Sequence, residues 1–385
     1  MPTGESAGRR AVVTGYGVAT TRGSGIEPAW EALAAAQPAG RDYTPDGGTR
    51  PFFAAPLPDD YRPAGMIPRN IHHVLDRGSL LALDAALQAL AAARLEHGAG
   101  DARRFAVADG LAYRAPGQAT LFVPYGHLIA RVTGVRGPVV VTGGAEASGM
   151  AAIAGAVRLV VRGEADVAIA GAAQALQEPV LAHLASQGWT APMQARPFDV
   201  DHAGFVPAEA AAYVVVEDEE HARARGVEPI ANIAGVGETF DPLVEPLETS
   251  GPAEAGRAMQ NALANAGYLQ SQVDHVVSCA DGRPAVDAAE AAGLMRTFGR
   301  HAYYAGVTTA AGALGHALAA SGPLSLVLAL ASLQRQQVTP IAGFERGPDG
   351  VEVTYVREAR AERLDCVLVT SLGLGGTNVS VLLQR

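Results

Sequence analysis

Residues 137–163 read as a strand, a small-residue turn and a helix, the arrangement in which acyl-transfer enzymes present a nucleophile. β-Branched residues at Val139–Val141 lead into the turn, and a helical pattern starts at Ser148. A thiol at such a turn gains from the helix macrodipole and from free backbone N–H groups, which lower its pKa. The turn presents Glu146 instead. Its carboxylate gains the same electrostatic support but cannot carry an acyl group as a thioester.

Other reactive groups are sparse. The two cysteines, Cys279 and Cys366, have neither disulfide nor metal-site spacing, which suits a reducing compartment. The glycine turn Gly373–Gly376 follows a strand but leads into another strand, not into the helix that a dinucleotide loop requires. We therefore expect no metal and no cofactor.

The elements that must position these residues alternate between strands and helices, as in an α/β fold. The predicted helices are Ser79–Leu95, Ser148–Val161, Pro252–Ala266, Ala285–Thr297 and Gly322–Gln334. The first predicted set of strands is Ala11–Thr14, Phe105–Ala108, Val139–Thr142, Val167–Ala170 and Ala212–Glu217. The second set is Pro229–Val236, His275–Cys279, Ala302–Val307, Glu352–Arg357, Cys366–Ser371 and Val379–Leu383.

The similar order of the two sets predicts two pseudo-equivalent halves, residues 1–225 and 226–385. The charged run Glu217–Arg225 reads as a solvated connection between them.

Composition excludes several classes of function. The chain has 385 residues, 49% of them hydrophobic, which is enough for a large core. Its net charge of −10 argues against nucleic acid or an anionic membrane as a partner. The N-terminal residues lack an apolar signal core, and the apolar run Gly322–Leu333 is too short to span a bilayer. We expect a cytoplasmic protein.

Five segments in order give a more specific indication. They are V12VTGYG, the elbow 137–163, G163EADVAIAG, R196PFDVDHAGFVPAEAAAYVVVED and S371LGLGGTNVSVLL. Together they resemble the β-ketoacyl-acyl-carrier-protein synthase family, from about Ala11 to the C-terminus. Within that family the chain is most similar to the chain-length factor, the ketosynthase β subunit of type II polyketide synthases, which lacks the nucleophilic cysteine. Many such subunits have an alanine-aspartate-glycine run, here Ala280–Gly282.

The resemblance implies a thiolase fold with five layers, αβαβα, and assigns the catalytic positions. Glu146 falls on the nucleophile, Cys279 on the first catalytic histidine and His316 on the second, and Ala311 replaces a lysine. Claisen condensation needs the thiolate and both imidazoles. No catalytic residue is therefore expected in this chain.

Each of these positions has alternative interpretations. Glu146 is either a helix-end carboxylate or a plug beside the partner's tunnel. His316 is an inherited structural imidazole or a surviving oxyanion donor. Cys279 is a buried strand-end thiol, unless His316 lies close enough to activate it. In the R196PFD segment, we expect a buried scaffold in which Arg196 pairs with a carboxylate.

The resemblance also indicates where a tunnel or interface would be lined. Leu121, Phe122, Tyr125 and Leu128 lie in the segment that borders the tunnel in a chain-length factor, although ordinary core packing is an equal alternative. Leu374 replaces an aromatic residue, which implies a less obstructed pocket. The stretch 109–123 is shorter than in typical ketosynthases.

The sequence thus predicts a non-catalytic chain-length factor that pairs with an active ketosynthase and shapes the acyl tunnel in polyketide or polyene biosynthesis. An acyl carrier protein would act through the complex. Two alternatives are a decarboxylase or acyltransferase acting on acyl-carrier-protein thioesters, and a non-enzymatic scaffold of the same fold.

Overall fold

A computed structural model describes residues 8–95, 101–113, 124–242, 245 and 248–385. The α-helices are α1 (Ile26–Ala34), α2 (Arg77–Ala92), α3 (Tyr125–Thr133), α4 (Ser148–Val161), α5 (Glu178–Ser186), α6 (Glu219–Ala224), α7 (Pro252–Ala266), α8 (Pro284–Phe298), α9 (Ala311–Leu314) and α10 (Ser321–Arg335). The strands are β1 (Ala11–Thr20), β2 (Gly23–Ser24), β3 (Arg41–Tyr43), β4 (Phe52–Ala54), β5 (Phe105–Gly110), β6 (Val139–Thr142), β7 (Val167–Gln174), β8 (Ala210–Asp218), β9 (Ala231–Phe240), β10 (His275–Val277), β11 (Gly306–Thr308), β12 (Gln337–Val338), β13 (Arg360–Ala361), β14 (Cys366–Leu372) and β15 (Thr377–Gln384).

The main sheet consists of two halves with the same topology. In the first half the strand order is β6-β5-β7-β8-β1, and in the second it is β11-β10-β14-β15-β9. Each half has two parallel pairings followed by two antiparallel ones. Antiparallel pairing of β1 with β9 joins the halves. The duplication expected from the order of the predicted strands is therefore visible in the topology.

Successive residues of the strands face different helical layers. In β8, Val214 belongs to the central core cluster with α4 and α10, whereas Tyr213 packs in the cluster that contains α2. In β14, Val369 joins the same central cluster, and Leu368 packs with α7. Helices α4 and α10 thus lie between the two halves of the sheet, which gives the five layers αβαβα that the resemblance implies.

Four glycines bring the outer helices close to the sheet, two in β1 against α2 and two in β9 against α7. A side chain at any of them would collide with a helix carbonyl, because a Cβ atom there lies far inside van der Waals contact. A Cβ atom added to each glycine would lie at the following distances from a carbonyl oxygen of the helix: 2.3 Å from that of Ala89 for Gly15, 2.2 Å from that of Ala85 for Gly17, 2.1 Å from that of Ala262 for Gly235 and 2.0 Å from that of Ala258 for Gly237.

Helix α10 is apolar on all sides, as expected of a helix in the central layer. With the turn before it, the stretch Leu318–Arg335 is long and apolar enough to span a bilayer, and 83% of this stretch is buried inside the chain. It is longer than the run Gly322–Leu333 considered from the sequence. Its burial is that of a core helix.

Three sequence predictions were wrong. The segment Glu352–Arg357 does not form a strand and contributes only an isolated bridge from Tyr355 to Val307. The strand predicted over Ala302–Val307 begins later, at Gly306, because the preceding residues form a 3₁₀ helix. The run Glu217–Arg225 is not a solvated connection.

Instead, that run ends strand β8 and forms helix α6. The carboxylate of Glu217 is fully buried and accepts hydrogen bonds from Thr14, His221 and Arg225. A pattern of charges along the sequence does not distinguish paired, buried charges from solvated ones.

Candidate functional site

The elbow lies between β6 and α4, at the centre of the molecule. A 3₁₀ turn, Ala145–Ala147, connects them, and the hydroxyl of Ser148 donates to the carbonyl of Ala145 at 2.6 Å. Ala145 has a left-handed backbone with φ of 52°, a strained conformation for a residue with a Cβ. This tight turn directs Glu146 into the interior, where the residue is 3% exposed.

Both carboxylate oxygens of Glu146 contact the second half of the chain. Oε2 accepts a hydrogen bond from the backbone N–H of Leu374, in the glycine turn between β14 and β15, at 2.8 Å. Oε1 lies 3.3 Å from Nη1 of Arg283. Glu146 is therefore more than a helix-end carboxylate, since it forms a buried ion pair across the two halves.

Arg283 lies at the centre of this charged cluster and immediately precedes α8. Its Nη2 is 2.7 Å and its Nε 3.0 Å from Oδ2 of Asp281. The guanidinium also lies over two aromatic rings, 5.0 Å from the centroid of Phe205 and 5.7 Å from that of Trp189. Although burial opposes the charged form, Asp281 and Glu146 raise the pKa of Arg283.

Asp281 connects this cation to the histidine of the site. Its Oδ1 accepts the backbone N–H of Arg283 at 2.9 Å, and its Oδ2 lies 3.5 Å from Nε2 of His316. Burial alone would raise the pKa of Asp281, but Arg283 and His316 lower it below its usual value. Asp281 is therefore ionised at neutral pH.

His316 follows α9 and is 4% exposed. Its ring packs against Phe205 with the centroids 4.7 Å apart, and Nδ1 has no hydrogen-bond partner within the described part of the chain. Burial lowers the pKa of His316 despite the attraction of Asp281. A neutral imidazole at pH 7 leaves the cluster of Glu146, Arg283, Asp281 and His316 with two carboxylates and one cation.

Cys279 has different neighbours from those that an activated thiol requires. Its Sγ lies 3.5 Å from Oε2 of Glu290, and its backbone N–H donates to Thr370. Burial and the charge of Glu290 raise the pKa of Cys279 well above its ordinary value. Among the described hydrogen bonds and ion pairs, Cys279 and His316 share none. A raised pKa keeps the thiol protonated at neutral pH, and a protonated thiol is a poor nucleophile.

The R196PFD segment forms the buried scaffold expected from the sequence. Arg196 pairs with Asp199 at 3.0 Å, and Asp199 also accepts the backbone N–H groups of Glu345 and Arg346. Phe198 and Glu209 are buried as well.

The predicted tunnel or interface residues are only partly described. Leu121 and Phe122 lie outside the described residues. Tyr125 begins α3 and is 4% exposed, in the core cluster that also contains α2. Leu128 is half-buried against the same cluster, and Leu374 is half-buried beside Glu146. Tyr125 and Leu128 thus contribute to packing, while Leu374 contributes its backbone N–H to the site.

Sequence reasoning gave no role to Arg283 and named Asp281 only as part of a family run. The acid and base two residues apart after β10 were visible, but Glu146 lies 137 residues away from Arg283. Their pairing depends on how the two halves dock. No local spacing in the sequence reports it.

Sequence comparisons assign both halves to one family. The profile "Beta-ketoacyl synthase, N-terminal domain" matches residues 8–222, and "Beta-ketoacyl synthase, C-terminal domain" matches residues 230–345. The chain is 29% identical to the 3-oxoacyl-[acyl-carrier-protein] synthase 2 of Coxiella burnetii, over 98% of this chain and 99% of that protein. It is 31% identical to the "Putative polyketide beta-ketoacyl synthase 1" of Streptomyces cyaneus, over 97% of this chain and 98% of that protein.

Solved structures share the fold. A beta-ketoacyl synthase from Burkholderia phymatum STM815 superposes with a TM-score of 0.87 at 28% identity, covering 98% of this chain and 99% of that one. The ishigamide ketosynthase/chain length factor superposes with a TM-score of 0.89 at 23% identity, covering 98% of this chain and 100% of that one. The thiolase-like fold predicted from the sequence is thereby confirmed.

Proposed function

Because the chain belongs to the β-ketoacyl synthase family, we propose that it is a non-catalytic, chain-length-factor subunit that pairs with a catalytic ketosynthase in a type II polyketide synthase. The observation that carries the proposal is the state of Glu146. By resemblance, Glu146 stands where the family attaches an acyl group to a thiol, and its buried carboxylate accepts the N–H of Leu374 and pairs with Arg283. A carboxylate in this setting cannot form the thioester intermediate.

The other family positions support the same proposal. By resemblance, Cys279 stands where the first catalytic histidine belongs, and its raised pKa leaves it a neutral thiol. His316 retains an imidazole, but its Nε2 faces Asp281. No group in this arrangement replaces the missing nucleophile, so the acyl chain would be carried by the partner subunit.

An open sheet edge supports the need for a partner. At one end of the sheet, β11 has an isolated bridge between Val307 and Tyr355 on its outer side. At the other end, β6 has no strand or bridge on its outer side among the described residues. Val140 on β6 is 37% exposed. An open edge with exposed valine tends to pair with another chain. We propose that a ketosynthase covers this edge and that an acyl carrier protein delivers substrate to the complex, in the cytoplasm.

Co-expression with a type II ketosynthase that has the catalytic cysteine and both catalytic histidines tests this function. We expect a one-to-one heterodimer by native mass spectrometry. Val140→Glu should weaken it, because a charge would be buried at the interface, and Val161→Glu is the control at an exposed valine of α4. A stable homodimer that does not bind the ketosynthase would contradict the proposal. Turnover of malonyl-carrier protein by this chain alone would also contradict it and would favour a decarboxylase or acyltransferase.

A further inference from the structure

The surroundings of Glu146 leave a second question, which is why an acyl chain held by the partner would not also enter this subunit. Arg283 lies beside Glu146 and over the rings of Phe205 and Trp189, and both rings share one hydrophobic cluster with Tyr113. Burial, followed by the charge of Glu146, raises the pKa of Tyr113. The guanidinium of Arg283 thus occupies the space between Glu146 and the rings of Phe205 and Trp189.

We propose that Arg283 fills this space and closes the vestigial acyl pocket, so that Arg283 determines that the growing chain stays in the partner subunit. The guanidinium lies between Glu146 and Asp281 and over the rings of Phe205 and Trp189. Its side chain is 7% exposed. The claim that the acyl chain stays in the partner subunit rests on the proposed function. The claim that Arg283 closes the pocket beside residue 146 does not.

Most of the contacts that hold Arg283 in position do not involve Glu146. Three contacts with Asp281 hold it, from Nη2, from Nε and from the backbone N–H. The stacking on Phe205 is also independent of Glu146. We therefore expect Arg283 to keep the pocket closed when residue 146 is changed to a smaller residue. A reactive group at position 146 can then measure whether the pocket is closed.

The test is the rate at which a thiol placed at position 146 reacts with S-alkyl methanethiosulfonates. The thiolate sulfur attacks the sulfenyl sulfur, a mixed disulfide forms and methanesulfinate leaves, so no further oxidant is required. Glu146→Cys is compared with Glu146→Cys combined with Arg283→Ala, using methyl and decyl reagents and mass spectrometry. The unsubstituted chain gives the background from Cys279 and Cys366.

If Arg283 closes the pocket, its removal should accelerate decyl labelling at least tenfold. Arg335→Ala is the matched control, since the Arg335 guanidinium also lies over an aromatic ring, 4.9 Å from the centroid of Trp30, but on the surface. It should leave the rate unchanged. Equal decyl rates with and without Arg283 would overturn the proposal.

Two further measurements keep the proposal testable if Arg283→Ala does not fold. Arg283→Met keeps most of the side-chain volume without the charge, and it should label more slowly than Arg283→Ala if filling the space is what matters. In Glu146→Cys alone, the folded chain should react with the methyl reagent at least a hundredfold more slowly than the urea-unfolded chain, and a difference below tenfold would overturn the closure without any Arg283 variant. The labelling rates test whether Arg283 closes the pocket, and heterodimer formation tests the proposed function. Each claim can therefore be contradicted without the other.

Discussion

The backbone N–H of Leu374 donates a hydrogen bond to the carboxylate of Glu146 at 2.8 Å, although the two residues are 228 positions apart in the chain. The contact joins the elbow of the first half to the glycine turn of the second. A backbone N–H group without a partner in the protein can polarise the carbonyl oxygen of a ligand. Here it is already occupied by a side chain of the protein.

Replacing Glu146 separates the effect of its charge from that of its hydrogen bonds. Glu146→Gln keeps an acceptor for Leu374 and should leave heterodimer formation and turnover of the complex within tenfold, equivalent to about 1.4 kcal/mol of barrier. Glu146→Ala removes the acceptor of the half-buried Leu374 N–H and one partner of Arg283, and it should lower the free energy of unfolding by about 1–3 kcal/mol. Urea denaturation compares the two variants. A larger loss of turnover in Glu146→Gln would show that the charge takes part in the chemistry.

Arg283 should be the most sensitive position of the cluster. Arg283→Ala leaves Glu146 and Asp281 buried without their cation, which should cost about 3–5 kcal/mol of stability. Because Arg283 lowers the pKa of Asp281, this carboxylate binds a proton more readily without Arg283, and the defect should be smaller at pH 5 than at pH 8 in urea titrations. Arg335→Ala, which loses an exposed pair, should cost about 1 kcal/mol or less. A defect in Arg283→Ala that does not depend on pH would contradict this account.

The buried histidine of β10 predicts acid sensitivity. Burial lowers the pKa of His275 from 6.5 to about 3. The unfolded chain therefore binds a proton that the folded chain does not, so this contribution to stability is complete above pH 6.5 and is lost as the pH falls from there towards 3. The loss is about 1.4 kcal/mol per pH unit. His275→Leu should remove this slope from urea titrations between pH 6 and 4.5, whereas His127→Leu, at an exposed position of α3, should keep it.

The two thiols should resist alkylation. Burial raises the pKa of Cys366 to about 12, and burial with Glu290 raises that of Cys279. Since the thiolate is the reactive form, iodoacetamide at pH 8 should modify neither in the native protein and both after unfolding, as read by mass spectrometry. Cys279→Ser should preserve the activity of the complex. Transfer of an acyl group from a carrier protein to Cys279 would revive the enzyme interpretation.

The tunnel segment gives a prediction about product length. If Phe122 borders the partner's tunnel, Phe122→Ala should shift products towards longer chains, and Leu128→Trp should shift them towards shorter ones, at similar rates of the first condensation. Tyr125→Ala should also lengthen products, but because Tyr125 is buried in the core it should cost about 3–5 kcal/mol of stability too. Chromatography of the products decides. An unchanged distribution of product lengths in all three assembled complexes would show that other residues set the length of the product.

The sequence predicted the fold more completely than the site, for a physical reason. Helices α4 and α7 were bounded correctly at Ser148–Val161 and Pro252–Ala266 because small and apolar residues, a proline start and a glycine end mark them locally. The segment Glu352–Arg357 has the same alternating pattern as a strand but makes only one bridge, because strand formation depends on a neighbour. The pair of Glu146 and Arg283 depends entirely on tertiary docking.

The glycines of β1 and β9 limit which sequence changes this fold tolerates during evolution. If this subunit carries no acyl group, as proposed, no selection for catalysis acts on the side chains at its catalytic positions, and they are free to change. Gly15 and Gly237 have no such freedom, since any side chain there would meet a helix carbonyl at about 2 Å, whatever the chemistry of the site. A lineage can therefore abandon catalysis and still be held to its ancestral backbone at these positions.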